Sequence, residues 1–135
     1  MKVYRVEDKD GIGPYNSEIA EWRNSVSKWR MRIAHSDDIH MAMFFYGEMD
    51  NLTSNEAATY YCAFSCMADL FAWFNGFEDD LDKFFKVMVF DAAEQNVIIP
   101  DKTNIQILCL NQIFIKRNES VLVNSMSFLD AMDFV

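Results

Sequence analysis

The chain opens on a short alternation of apolar and polar positions. Valine and tyrosine flank an arginine within Lys2 to Glu7, which predicts a strand over residues 2–7. Gly11, Gly13 and Pro14 then break the strand and turn the chain. From Ser17 to Ala34 the period changes. Ile19, Trp22, Val26, Trp29 and Ile33 follow one another at steps of three and four, which is one stripe of a helix with Asn16 as its cap. The stripe predicts Trp22 and Trp29 in the core. Arg23, Lys28, Arg30 and Arg32 lie off it and give the helix a basic outer side, either solvated or available for docking.

Ile39 to Tyr46 is apolar without a deciding period, and Gly47 to Glu56 is polar enough for a surface loop. Tyr60, Cys62 and Phe64 alternate with Tyr61, Ala63 and Ser65 as in a strand. Ser65 is placed to cap a helix from Cys66 to Asn75. In that helix Met67, Leu70, Phe71 and Phe74 form the inner face and Gly76 supplies the stop. Glu78, Asp79, Asp80 and Asp82 suit the start of a second short helix, whose N-terminus is partly positive. The last third is expected to be mostly strand: Phe85 to Asp91, then Val97 to Ile99, then Ile105 to Ile115. Lys116 to Glu119 looks like a hairpin turn to a strand over Ser120 to Val123. A short helix follows around Phe128 to Met132, with Ser125 or Ser127 as its cap. Helices between groups of strands predict an α+β fold, a largely antiparallel sheet with helices packed on it, in a single domain over residues 1–135.

Composition adds two constraints. At 51% hydrophobic and 15% aromatic residues the chain can bury a bulky core. The net charge of −9 is uneven: residues 1–35 carry seven basic and five acidic side chains, residues 36–135 five and sixteen. An acidic body argues against direct nucleic-acid binding and permits attraction to a basic protein surface, while serving solubility in either case. No apolar run is long enough to span a bilayer, and the opening Lys2, Tyr4, Arg5 and Glu7 do not form an apolar leader. The expectation is therefore a cytoplasmic protein with no membrane partner.

Candidate chemistry is sparse. Cys62, Cys66 and Cys109 sit among apolar neighbours and are expected to be reduced and buried, without the spacing of a zinc site. His35 and His40 flank Asp37 and Asp38, a set that could serve acid–base or metal chemistry or none. Gly11 and Gly13 lack the rest of a phosphate-binding loop, and neither cofactor nor metal is expected.

Two resemblances supply what the pattern does not. Tyr4-Arg5-Val6-Glu7-Asp8 followed by Asp10-Gly11-Ile12-Gly13-Pro14-Tyr15 resembles small bacteriophage-encoded proteins. The likeness extends loosely over Cys62-Ala63-Phe64-Ser65, Trp73-Phe74 and Val87 to Asp91. It implies a host-directed accessory protein, such as an inhibitor of the anti-CRISPR type that binds a host defence protein, or else a structural phage component. For such an inhibitor, Glu78, Asp79, Asp80 and Asp82 are the candidate contacts to a basic groove. The order of segments also resembles a worn ADP-ribosyltransferase fold. Those enzymes carry an Arg or His on a first strand, a Ser-containing strand before a helix and a late catalytic Glu. The counterparts are Arg5, Ser65 and Gln106, and a glutamine lacks the charge that supports an oxocarbenium ion.

Overall fold

A computed structural model of the chain describes residues 1–35, 59–99 and 112–135. The expected elements at Ile39 to Tyr46, Gly47 to Glu56 and Pro100-Asp101, and the first part of the strand from Ile105, lie outside these residues. So do Asp37, Asp38, His40, Gln106 and Cys109.

The first strand, β1 (Lys2–Glu7), is buried from Arg5 to Glu7 on both of its faces, as a central strand must be. It pairs antiparallel with β2 (Tyr60–Phe64) on one side and β3 (Lys86–Asp91) on the other. Beyond β2 lie β5 (Gln112–Lys116) and the two-residue β4 (Val97–Ile98). Beyond β3 lies β6 (Val121–Met126). The sheet has six strands in the order β4-β5-β2-β1-β3-β6, all pairs antiparallel. With helices against it, the fold is α+β, as the alternation of patterns predicts.

Pleating sends successive side chains to opposite faces and so divides the core in two. On one face Val6, Phe64 and Val87 meet the buried sides of the helices, including Trp22, Met31, Leu70, Phe74 and Phe128. On the other, Val3, Ala63, Phe90, Ala92, Ile113 and Ile115 form a smaller cluster.

Two expected elements fail here. Residues 116–119 do not make a hairpin. β5 and β6 are separated by β2, β1 and β3. In a flat sheet that is four strand spacings, ~19 Å sideways, whereas the five residue steps from Lys116 to Val121 reach at most ~18 Å. The sheet is therefore curled, and Arg117–Glu119, in a 3-10 turn, crosses its second face. A register shift between Val89 and Phe90 in the β3–β6 ladder adds local twist.

The single helix over residues 17–34 is two helices, α1 (Ala20–Arg23) and α2 (Val26–Ala34). Ser25 stands between them in an extended conformation (φ −79°, ψ 151°). Its hydroxyl accepts the N–H of Lys28 at 3.1 Å as a cap and donates to the Trp22 carbonyl at 2.6 Å. A short polar side chain offering both bonds competes with continued helix. The apolar stripe loses its phase at this break. Trp22 is fully buried and its Nε1 donates to the Pro14 carbonyl at 2.8 Å. Trp29 is 64% exposed, as are Val26 and Ile33 to similar extents, and Met31 takes the inward place. Asn16 caps neither helix; Ile19 occupies the cap position of α1.

Further along, α3 (Met67–Trp73) buries Met67, Leu70 and Phe71 as its spacing predicts, and Phe74 follows them inward. Ser65 does not cap it; Cys66 holds the cap position without a side-chain bond. Gly76 ends the segment at φ +92°, a conformation that favours glycine. The acidic run forms α4 (Glu78–Asp82), and Ser127 caps α5 (Phe128–Ala131) by accepting the N–H of Asp130 at 3.1 Å.

The two tryptophans are therefore expected to respond differently to truncation. Trp22→Ala should cost about 3–5 kcal/mol, whereas Trp29→Ala should stay within ~0.5 kcal/mol of the parent. Denaturant titration of both variants checks this; equal losses would contradict the broken stripe.

Candidate functional site

Where β1 runs out into the loop of residues 8–16, three structures converge: the loop itself, the exposed end of β2 and the start of the crossing segment. They enclose a cavity of about 530 Å³, lined among others by Arg5, Tyr60, Tyr61, Cys62, Gln112 and Arg117.

The loop is shaped by one carboxylate. Asp8 is buried, and its side chain accepts the N–H of Asp10 at 2.8 Å, the N–H of Ile12 at 3.0 Å and the hydroxyl of Ser17 at 2.6 Å. Its own N–H donates to the Ile12 carbonyl at 2.8 Å. Burial pushes the Asp8 carboxyl upward, but the Ser17 hydroxyl, the two N–H groups and the charge of Lys9 outweigh it. The net pKa lies below the usual 3.8. Gly11 turns at φ +79°, which favours glycine, and a Cβ there would stand 2.7 Å from the Arg117 guanidinium and push it aside.

Beneath the loop lies a buried ion cluster. Glu7, fully buried, accepts Arg5 Nε at 2.8 Å on one oxygen, which it shares with Arg117 Nε. Arg117 Nη2 reaches the other oxygen at 2.8 Å. Hydrogen bonding to Glu7 is the main cause holding the Arg117 pKa above its ordinary value, against the opposing effect of burial. Arg5 Nη1 donates to the Cys62 carbonyl, which fastens β1 to β2. The two guanidiniums also lie over aromatic rings, Arg5 at 5.2 Å from the Tyr61 centroid and Arg117 at 5.3 Å from that of Phe90. Two cations on one carboxylate leave the cluster itself one positive charge in excess, and Asp10 in the same cavity lining offsets it.

Gln112 completes the site. It begins β5 opposite Phe64 and is buried, yet among the described residues its amide oxygen has no hydrogen-bond partner. A buried acceptor without a donor costs about 1–3 kcal/mol. Gln112 is among the residues that line the cavity, with that oxygen itself shut off from solvent.

A hydrogen-bonded aromatic set supports the far wall. The hydroxyl of Tyr15 receives Trp73 Nε1–H at 3.0 Å and bonds to Nδ1 of His35. Nε2 of His35 bonds to the Trp73 carbonyl at 2.7 Å, and its ring stacks on Trp73 with centroids 4.3 Å apart. A neutral imidazole with its proton on Nε2 satisfies both contacts. His35 is thus a buried positioning group within an aromatic cluster.

Of the residues singled out in the sequence, Arg5 lies in the cavity wall, but Ser65 is exposed past the end of β2 and does not line it. Cys62 is exposed in the wall rather than buried, because the β2 residues Tyr61 and Cys62 extend beyond the packed helices. Cys66 is half-buried. Burial first, and then Asp69, pushes its thiol pKa up. Gln112 and Arg117 were missed; only the long apolar run before Gln112 and the misassigned turn at Arg117 could have drawn notice to them.

The acidic helix is less free than its composition predicts. Glu78 accepts the N–H of Gly76 at 2.9 Å, Asp80 accepts the Ser27 hydroxyl and pairs with Lys83 at 3.5 Å, and Asp82 accepts the N–H of Phe128 at 2.8 Å. Asp79 is the one exposed throughout.

The model of one family, the bacteriophage T4 Y00F protein, matches residues 1–129. The chain belongs to this bacteriophage family. Nearly the whole described fold, with the cavity and the ion cluster, falls inside the matched span. Comparison with curated proteins and with solved structures gave no match. Among the described residues no helix is long and apolar enough to cross a membrane.

The depressed pKa of Asp8 carries a pH dependence. A carboxyl whose folded pKa lies below its unfolded value stabilises the fold above about pH 3.8. That contribution is lost as pH falls through the folded pKa. Asp8→Asn should therefore be less stable than the parent at neutral pH, and the difference should shrink on acidification below about pH 3.8. Urea midpoints measured from neutral pH down into the acid range check this; a constant offset would contradict it.

Proposed function

We propose that this phage-family protein is a host-directed binding protein whose cavity takes an NAD-type dinucleotide, or its ADP-ribose part, and holds it without transferring it. The observation that carries the reading is the cavity lining, in which the guanidiniums of Arg5 and Arg117 stand with the aromatic Tyr60 and Tyr61 and with Gln112. Guanidinium groups and rings to stack on suit a ligand with phosphates and a heteroaromatic base. The resemblance to ADP-ribosyltransferases supports the class of ligand. The strand with Arg5, the strand before α3 and the late strand β5 lie side by side. It also supports binding over transfer. The late residue in the cavity wall is Gln112, an amide as Gln106 is, and an amide cannot supply the negative charge that stabilises an oxocarbenium ion.

A second reading keeps the protein as an inhibitor of the anti-CRISPR type, acting on a host defence protein with a basic surface through Glu78, Asp79, Asp80 and Asp82. What favours it is the strongly acidic charge of residues 36–135 and the outward position of Asp79. Three of the four carboxylates are engaged within the fold, so Asp79 would carry the largest share of such a contact.

Calorimetric titration with NAD and ADP-ribose, beside incubation of labelled NAD with host lysate, tests the first reading. Saturable binding without transfer of label is expected. Gln112→Met should raise stability by about 1–3 kcal/mol, because the orphaned acceptor is gone. Asp79→Asn should leave ligand binding unchanged. No binding at ~1 mM ligand would overturn the cavity reading and leave the inhibitor reading standing. Label transfer that is lost in Arg5→Ala would replace binding with catalysis.

A further inference from the structure

Among the described residues β6 is an outer strand of the sheet, and it is unlike a protected edge. Val121, Leu122 and Val123 are 65%, 50% and 50% exposed, and the six residues from Val121 to Met126 include neither a charged residue nor a proline. Monomeric proteins ordinarily blunt such an edge with lysine, proline or a covering segment, because its open N–H and C=O groups invite another strand. The bulge between Val89 and Phe90 twists the strand without covering it.

The apolar surface does not stop at the strand. Leu129, Met132, Phe134 and Val135 are between 50% and 69% exposed, and Phe134 and Val135 border a hollow of about 540 Å³ together with Val123, Met126, Tyr4 and Val89. An open strand edge thus lies beside a socket large enough for side chains arriving on a neighbouring strand.

We infer that β6 pairs antiparallel with β6 of a second copy of this chain, across a two-fold axis, with apolar side chains of each copy seated in the hollow of the other. Two features select a second copy as the occupant. First, the edge is self-complementary: antiparallel pairing about its centre sets uncharged residues against uncharged residues, so the −9 charge of each chain meets no like charge within the ladder. Second, the area suffices. The seven exposed apolar side chains of residues 121–135 offer roughly 500–700 Å² per copy at the usual area per side chain. The pair would bury ~1,000–1,400 Å², which clears the roughly 1,000 Å² that a specific interface needs.

Such a dimer carries its own signature. Outside the ladder the two acidic bodies repel each other, so added salt should strengthen association, the reverse of an interface held by ion pairs.

Sedimentation velocity on the full chain, from ~1 to ~200 µM and at ~0.15 and ~0.5 M salt, tests this. A dimer whose dissociation constant falls as salt rises is expected. Leu122→Lys and Val123→Lys put a charge on either face of the edge at half-exposed positions, and each should raise that constant by about tenfold or more. Their thermal melting by circular dichroism should match the parent at a concentration where sedimentation shows the parent monomeric, which separates lost association from lost folding. Trp29→Lys, on the exposed side of α2, should leave the dimer intact. A monomer throughout the concentration range would overturn the inference. So would a dimer indifferent to both edge variants, or one lost only in Trp29→Lys.

Discussion

The structure depends on one buried carboxylate. Glu7 ends the central strand, is shut off from solvent and is held by two guanidiniums that come from opposite ends of the sequence. Each partner fixes something besides the charge. Arg5 ties β1 to the β2 backbone at Cys62, and Arg117 anchors the segment that crosses the curled sheet. Gly11, whose φ of +79° favours glycine, lies so close to the Arg117 guanidinium that a Cβ there would push it aside. Taking an ion out of water costs several kcal/mol, and the cluster repays this through three charge-assisted hydrogen bonds to the carboxylate, not through attraction alone. The cavity exists because these groups hold its walls apart: loop 8–16 on one side, the end of β2 on another, the crossing segment on the third.

Much of the fold was legible in the residues, and the parts that were not share a cause. β1, β3, α3, the acidic helix and the C-terminal cap all follow from local signals: alternation, a three-and-four spacing, carboxylates at a helix start, a serine before a helix. The failures came where a pattern was overridden by a hydrogen bond it does not show, long-range at Arg117 and local at Ser25. Lys116 to Glu119 has the composition of a hairpin turn, yet Arg117 is drawn across the sheet to Glu7, a carboxylate more than a hundred residues earlier. The stripe through Trp22 and Trp29 keeps helical spacing, but Ser25 interrupts the helix and the second half of the stripe turns outward. Ser65 has a cap's composition one residue too early.

The candidate site was less legible than the fold. Arg5 stood out because a charged residue sat inside a strand pattern. Its partners could not be read, since nothing local couples residue 5 to residue 117. Gln112 carried little signal beyond the apolar run before it; an amide at the start of a strand becomes informative only when its oxygen is seen to lack a donor among the described residues. The acidic run was plain in the sequence, but only packing shows that most of its carboxylates hold Gly76, Ser27 and Phe128 in place.

The central claim is that Glu7 and Arg117 act as one unit. A double-mutant cycle on the full chain, Glu7→Gln and Arg117→Met alone and together, measures this by denaturant unfolding. The account predicts that Glu7→Gln costs about 3–5 kcal/mol, because it leaves buried cations without their counter-charge. It also predicts that the double variant recovers part of the loss, with a coupling energy of about 1–3 kcal/mol. Losses that simply add, to within about 0.5 kcal/mol, would show that the cluster does not hold the crossing segment to the sheet.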